Sequence, residues 1–173
     1  AYAIATSTNK TEKQYCTMRL VAPAEISLRL TSPWSENALA RSEVLAGGRK
    51  TGQVVTGEVL EAAVQWKDCF VLFVTDAIPF EDSLRIYLFD ARWQLLDSAK
   101  LGAMYTTGAF SRLELAPPNV MRFRFIGDIT WELALLDQRV PSLPFSDPKG
   151  VSRPFAFTKR FTLHGHPLPE TGH

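Results

Sequence analysis

The sequence predicts a mainly β chain, folded as an antiparallel two-layer β-sandwich of jelly-roll-like type with one short helix near residues 33–46. Three observations carry this prediction. Residues 120–126, Val-Met-Arg-Phe-Arg-Phe-Ile, alternate apolar and polar side chains, the period of a strand with one buried face. A second patterned run, Trp-Glu-Leu-Ala-Leu-Leu-Asp at 131–137, follows Gly-Asp-Ile-Thr, so the two read together as a β-hairpin. Along the rest of the chain, roughly seven to nine short strand-like runs are separated by Gly, Pro, Asn and Asp, the spacing of an all-β domain.

Taken in order, residues 1–14 are rich in Thr, Ser and Lys and read as a mobile arm. Residues 25–30 place Ile26, Leu28 and Leu30 on one face and Glu25, Ser27 and Arg29 on the other, as a strand does. Residues 32–48 carry helix punctuation: Ser32 as a cap, Pro33 at the first helical position and Gly47 as a left-handed stop. Their apolar positions, Trp34, Ala38, Leu39 and Leu45, are sparse, which suits a helix lying across a sheet edge or a barrel mouth. Gly47–Gly52 then reads as a helix stop and a flexible loop. Its basic pair, Arg49 and Lys50, lacks the spacing of a phosphate-binding loop. Residues 52–66 suggest a bent or bulged strand around Gly57, with a short helix over 58–66 as the alternative. Cys69 to Thr75 is apolar at nearly every position and is expected to be a central strand covered on both faces, which implies two layers.

Residues 84–89 and 94–97 read as two strands joined by the polar turn 90–93, with Phe89 opposite Gln94 and Leu88 opposite Leu95. Ser111–Leu115 is a shorter strand, and Pro117-Pro118-Asn119 ends it and separates two hairpin units. In the 120–137 hairpin a two-residue turn would mix charge into both faces, so an odd loop is expected. That loop sets Phe125 opposite Trp131, Phe123 opposite Leu133 and Met121 opposite Leu135, with Arg124 meeting Glu132 on the polar face. After Asp137, Pro141, Pro144, Pro148 and Pro154 punctuate a segment, 139–173, that wraps over the surface and contributes one more strand at 155–163.

With 173 residues, 46% hydrophobic and 21% charged, the chain fits a single domain that buries its own core. No run approaches the roughly 18 uncharged apolar residues of a membrane-spanning helix. The first residues lack the basic and apolar regions of a signal peptide, and the compartment stays open. Net charge is +1, too small to imply a nucleic-acid partner. It is unevenly spread: residues 1–53 carry +3, residues 54–138 carry −5 and residues 139–173 carry +3. The expected consequence is that basic flanks dock on an acidic central sheet, each exposed pair adding about 0–1 kcal/mol. Cys16 and Cys69 are expected to be buried thiols. The alternative is one bridge closing a 52-residue interior, worth about 4 kcal/mol.

Catalytic constellations are sparse. All three histidines, His164, His166 and His173, lie in the last ten positions, and no Gly-x-Ser-x-Gly elbow accompanies them. In extended chain, His164 and His166 share one face and make half of a metal site, which motivates the least favoured alternative, a metal-dependent jelly-roll enzyme. Residues 84–90, followed by Asp97 and Gly102, resemble in pattern the calcium- and lipid-binding C2 sandwich. That resemblance would imply calcium held by carboxylates such as Asp76, Glu81, Asp82, Asp90 and Asp97. The chain lacks the Asp-x-Asp spacing of that site, and no residue roles are carried over. Arg122 and Arg124, with Tyr87 and Trp93, are the candidate binding residues, because guanidinium planes and aromatic faces both support recognition. The functional expectation is a non-enzymatic module that binds a protein partner or self-associates, without cofactor. The alternative is a carbohydrate-binding module using Trp93 and Tyr87 as platforms.

Overall fold

The structure is a computed structural model that describes residues 18–78, 82–102, 108–127, 129–143, 146–154 and 157–166. Within them the chain forms β1 (Met18–Leu20), β2 (Ile26–Ser32), β3 (Arg41–Ala46), β4 (Arg49–Thr56), β5 (Val59–Trp66), β6 (Cys69–Thr75) and β7 (Leu84–Phe89). It continues through β8 (Leu95–Leu101), β9 (Ser111–Ala116), β10 (Val120–Arg124), β11 (Thr130–Pro141), β12 (Val151–Ser152) and β13 (Thr158–His166). The strands form three open antiparallel sheets, ordered β1-β5-β6-β7-β8-β12, β13-β11-β10-β9 and β2-β3-β4. The chain is therefore mainly β and antiparallel, and none of the sheets closes into a barrel.

The six-stranded sheet organises the core. On β6 alternate residues diverge: Val71 and Phe73 join a cluster with Phe123, Trp131, Leu133 and Phe161 of the four-stranded sheet. Leu72 and Val74 join a second cluster with Ile26, Val44 and Val55 of the three-stranded sheet. The two-sided burial expected for Cys69–Thr75 is thus present, but it comes from a separate sheet on each side rather than from two layers alone. Each fully buried large side chain of this kind contributes about 1.5–3 kcal/mol.

The helix expected near residues 33–46 does not form, and no helix occurs among the described residues. Ser42 and Val44 are completely buried, a period of two that a helix cannot satisfy. β3 instead pairs with β2 on one side and β4 on the other. Gly47 and Gly48, at φ 57° and 76°, make the two-residue turn between Ala46 and Arg49, the geometry that a tight hairpin demands. They are not a helix stop. Residues 58–66 take the bulged-strand alternative, with a register shift between Leu60 and Ala62.

Two hairpins have the expected partners in a different register. In the 84–97 unit Phe89 faces Leu95 and Leu88 faces Asp97. The Asp90 carboxylate accepts from the amides of Arg92 and Gln94 at 2.8 and 2.9 Å, which lengthens the loop and adds a bulge. In the 120–137 unit the loop is odd, as burial requires, yet Phe123 faces Trp131, Met121 faces Leu133 and Arg122 faces Glu132. Trp131 Nε1 donates to the Phe125 carbonyl at 2.9 Å, so Phe125 belongs to the loop rather than to the ladder. Pro117-Pro118-Asn119 does not separate units. It connects β9 to β10, which pair from Ala116 opposite Val120.

Candidate functional site

The four predicted binding residues do not converge. Arg122 and Arg124 lie on β10, on the face of the four-stranded sheet opposite Met121 and Phe123. Arg122 Nε is 3.1 Å from Glu132 Oε2, the partner assigned in the sequence to Arg124. The register places Arg122 and Glu132 in one row with Glu114 and His164, and Arg124 and Thr130 in the next row with Ser111 and His166. His164 and His166 are exposed and share this face. Among the described residues, no group of His, Cys, Asp and Glu is arranged to hold a metal ion.

Tyr87, on β7 of the six-stranded sheet, and Trp93, in the β7–β8 loop, pack against the cluster shared with the three-stranded sheet. The Tyr87 hydroxyl accepts from Thr56 N at 3.1 Å and donates to Thr56 O at 3.0 Å, and burial pushes its pKa up. Its ring is 6.2 Å from Phe89, which is 5.5 Å from Trp93. The two predicted rings are therefore separated by a third. Trp93 instead stacks on Phe70 with centroids 5.0 Å apart and planes 4° from parallel. Together they line a cavity of about 420 Å³ with Arg19, Glu25, Gln65 and Asp68. Sequence reading missed Phe70 because a Phe inside an apolar run is indistinguishable from core.

The carboxylates considered for calcium have other duties. Asp76 pairs with Arg85 in a nearly water-free setting, and its backbone amide donates to Asp82 Oδ1 at 2.8 Å. Burial is the main cause that raises the Asp82 pKa. Asp90 shapes its own loop. Asp97 Oδ2 accepts from Arg153 at 2.9 Å and from the amides of Arg160 and Phe161 at 2.7 and 3.3 Å. Glu81 lies outside the described residues. Cys69 is a free, buried thiol whose pKa is pushed up to about 11, chiefly by burial. Cys16, and with it the alternative of a Cys16–Cys69 bridge, lies outside the described residues.

A groove of about 530 Å³ runs beside β5 and is lined by Leu20, Val21, Ile26, Leu28, Val59, Leu60 and Ala62, with Glu58 and Glu61 beside them. β1 covers β5 only from Val64 to Trp66, extended by one bond from Val21 N to Ala63 O at 2.8 Å. Among the described residues, no strand lies along the outer edge of β5 from Val59 to Ala62. Leu20 and Val59 are 59% and 38% exposed on this rim.

No helix among the described residues is long and apolar enough to cross a membrane. Comparison with protein families, curated proteins and solved structures finds no match.

Proposed function

We propose that the protein is a binding module on a sandwich-type β frame, and that it takes an extended segment of a partner protein along the outer edge of β5. The observation that carries this reading is the stretch Val59–Ala62, which no strand among the described residues covers, beside an apolar groove. Backbone donors and acceptors on an open strand edge are completed by an added strand, and alternate side chains of that strand fill the adjoining pocket. Exposed Leu20 and Val59 supply apolar contact, while Glu58 and Glu61 give the edge negative charge. Two copies meeting edge to edge would set these carboxylates against each other, and the bulge between Leu60 and Ala62 further disfavours that pairing. The same charge attracts a segment carrying Lys or Arg.

Affinity capture from native extract, with mass spectrometry, tests this when wild type is compared with Leu20→Ser/Val59→Ser and with Glu58→Lys. These side chains are exposed, so the variants should keep their thermal unfolding temperature. The expected result is a partner held by wild type and released by both variants. A partner retained equally by all three proteins would refute the edge as its site. A dimer in light scattering that both variants abolish would replace the partner with a second copy.

A further inference from the structure

We propose that the cavity lined by Phe70 and Trp93 is a separate binding site for a neutral oligosaccharide. Its aromatic floor is held in place by the backbone. Trp93 sits at φ 60°, a left-handed conformation uncommon for a bulky residue and maintained only where its surroundings impose it. Asp90 imposes it here: its carboxylate accepts from Arg92 N and Gln94 N, and its carbonyl accepts from Trp93 N at 3.0 Å. The ring then lies nearly parallel on Phe70, which fixes the slope of the surface offered to a ligand.

The rim is polar. Arg19 donates to both carboxylate oxygens of Glu25, at 3.0 and 2.7 Å, and through Nε to Gln65 Oε1 at 2.8 Å. Gln65 Nε2 in turn donates to the Lys67 carbonyl at 3.2 Å, and Asp68 stands beside this chain on the cavity wall. A flat aromatic face beside ordered carboxylate, amide and guanidinium groups matches a sugar, whose C–H face packs on the ring while neighbouring hydroxyls bond the rim. The volume of about 420 Å³ falls in the range of small-ligand sites. The charges exclude an anionic ligand. Glu25 already neutralises Arg19, and Lys67 pairs with Asp137 and lies over the Trp66 ring, so an anionic sugar would meet Asp68 without a compensating cation.

The test is an array of neutral and acidic oligosaccharides and of Lys/Arg-containing peptides, followed by calorimetric titration of any neutral sugar retained. Wild type is compared with Trp93→Ala and with Asp68→Ala, the second altering an exposed side chain, and thermal unfolding checks that each variant is folded. The expected result is retention of a neutral oligosaccharide, weakened at least about tenfold by each substitution. The proposal is overturned if no neutral sugar is retained, if only acidic sugars or cationic peptides are, or if Asp68→Ala binds as wild type does.

Discussion

Arg153 follows β12 directly and fastens the C-terminal segment to the six-stranded sheet. Its side chain is 8% exposed and that of its partner Asp97 is 6%. The guanidinium is 2.9 Å from Asp97 Oδ2, 3.0 Å from Asp147 Oδ2 and 2.7 Å from the Phe161 carbonyl, and it lies 4.6 Å over the Phe161 ring. Arg153→Met keeps much of the apolar stem but leaves a buried carboxylate without its cation, a loss of about 3–5 kcal/mol in general. The Arg160 and Phe161 amides still donate to Asp97, which places the expected loss near the lower end, about 3 kcal/mol. Urea denaturation followed by Trp fluorescence measures it. Combining Arg153→Met with Asp97→Asn removes the stranded charge while retaining an acceptor for both amides. The double variant should therefore lose less than the sum of the singles by at least about 1 kcal/mol. A single-variant loss under about 1 kcal/mol, or additive losses, would refute the account of Arg153 as a buried electrostatic clasp.

Three further outcomes are expected. Arg122→Ala should cost only about 0–1 kcal/mol in the same denaturation assay, because its pair with Glu132 is solvated; a loss matching that of Arg153→Met would show that burial does not separate the two pairs. Gly57 has φ 119°, and a Cβ there would meet the Val74 side chain and lie 3.0 Å from the Thr75 carbonyl oxygen. Gly57→Ala should lower stability by about 1–3 kcal/mol, and an unchanged thermal midpoint would contradict the close approach of β4–β5 to β6. In a Cys16→Ser background, Cys69 should alkylate slowly at neutral pH, because raising the pKa from 9.0 to about 11 leaves about a hundredfold less thiolate. The raised folded-state pKa has a matching stability sign. The neutral thiol's contribution is full below pH 9, then falls as pH rises from 9 towards 11, and alkylation at the rate of an unfolded thiol would rule out this burial.

Much of the framework was legible because strand burial imprints a period of two. Met121, Phe123, Leu133 and Leu135 occupy the buried face that their spacing implies, and Leu84–Phe89 is a strand as read but buried on both faces. Of the face formed by Ile26, Leu28 and Leu30 only Ile26 is fully buried, and Leu30 is 43% exposed. The odd parity of the 120–137 loop was also readable, since the wrong parity would have buried Arg122 and Arg124. Parity does not choose between registers two residues apart, however. The Trp131 bond to the Phe125 carbonyl and the Asp90 turn decided those, and both depend on where a side chain reaches after the chain has folded. The binding surfaces were less legible. Trp93 was recognisable as a candidate, but its stacking partner Phe70 and the wall of Arg19, Glu25, Gln65 and Asp68 come together only when β1, β5, β6 and the β7–β8 loop are assembled.

By itself the sequence determined the mainly β class, most strand positions and which side chains turn inward, because these follow from local alternation and turn chemistry. The uneven charge pointed to basic flanks docking on an acidic centre, but of the ion pairs among the described residues only Arg153–Asp97 joins a flank to the centre, and it is buried rather than exposed. Tertiary structure alone decided that residues 41–46 are a strand, since Val44 and Ser42 are buried between neighbours that no local signal announces. It likewise decided that three sheets pack together where two were expected, and that β5 pairs with β1 only from Val64 to Trp66. Helix caps such as Ser32 and Pro33 contribute about 1 kcal/mol, whereas burying Val44 and pairing β3 on both sides contribute several, so the nonlocal terms prevail.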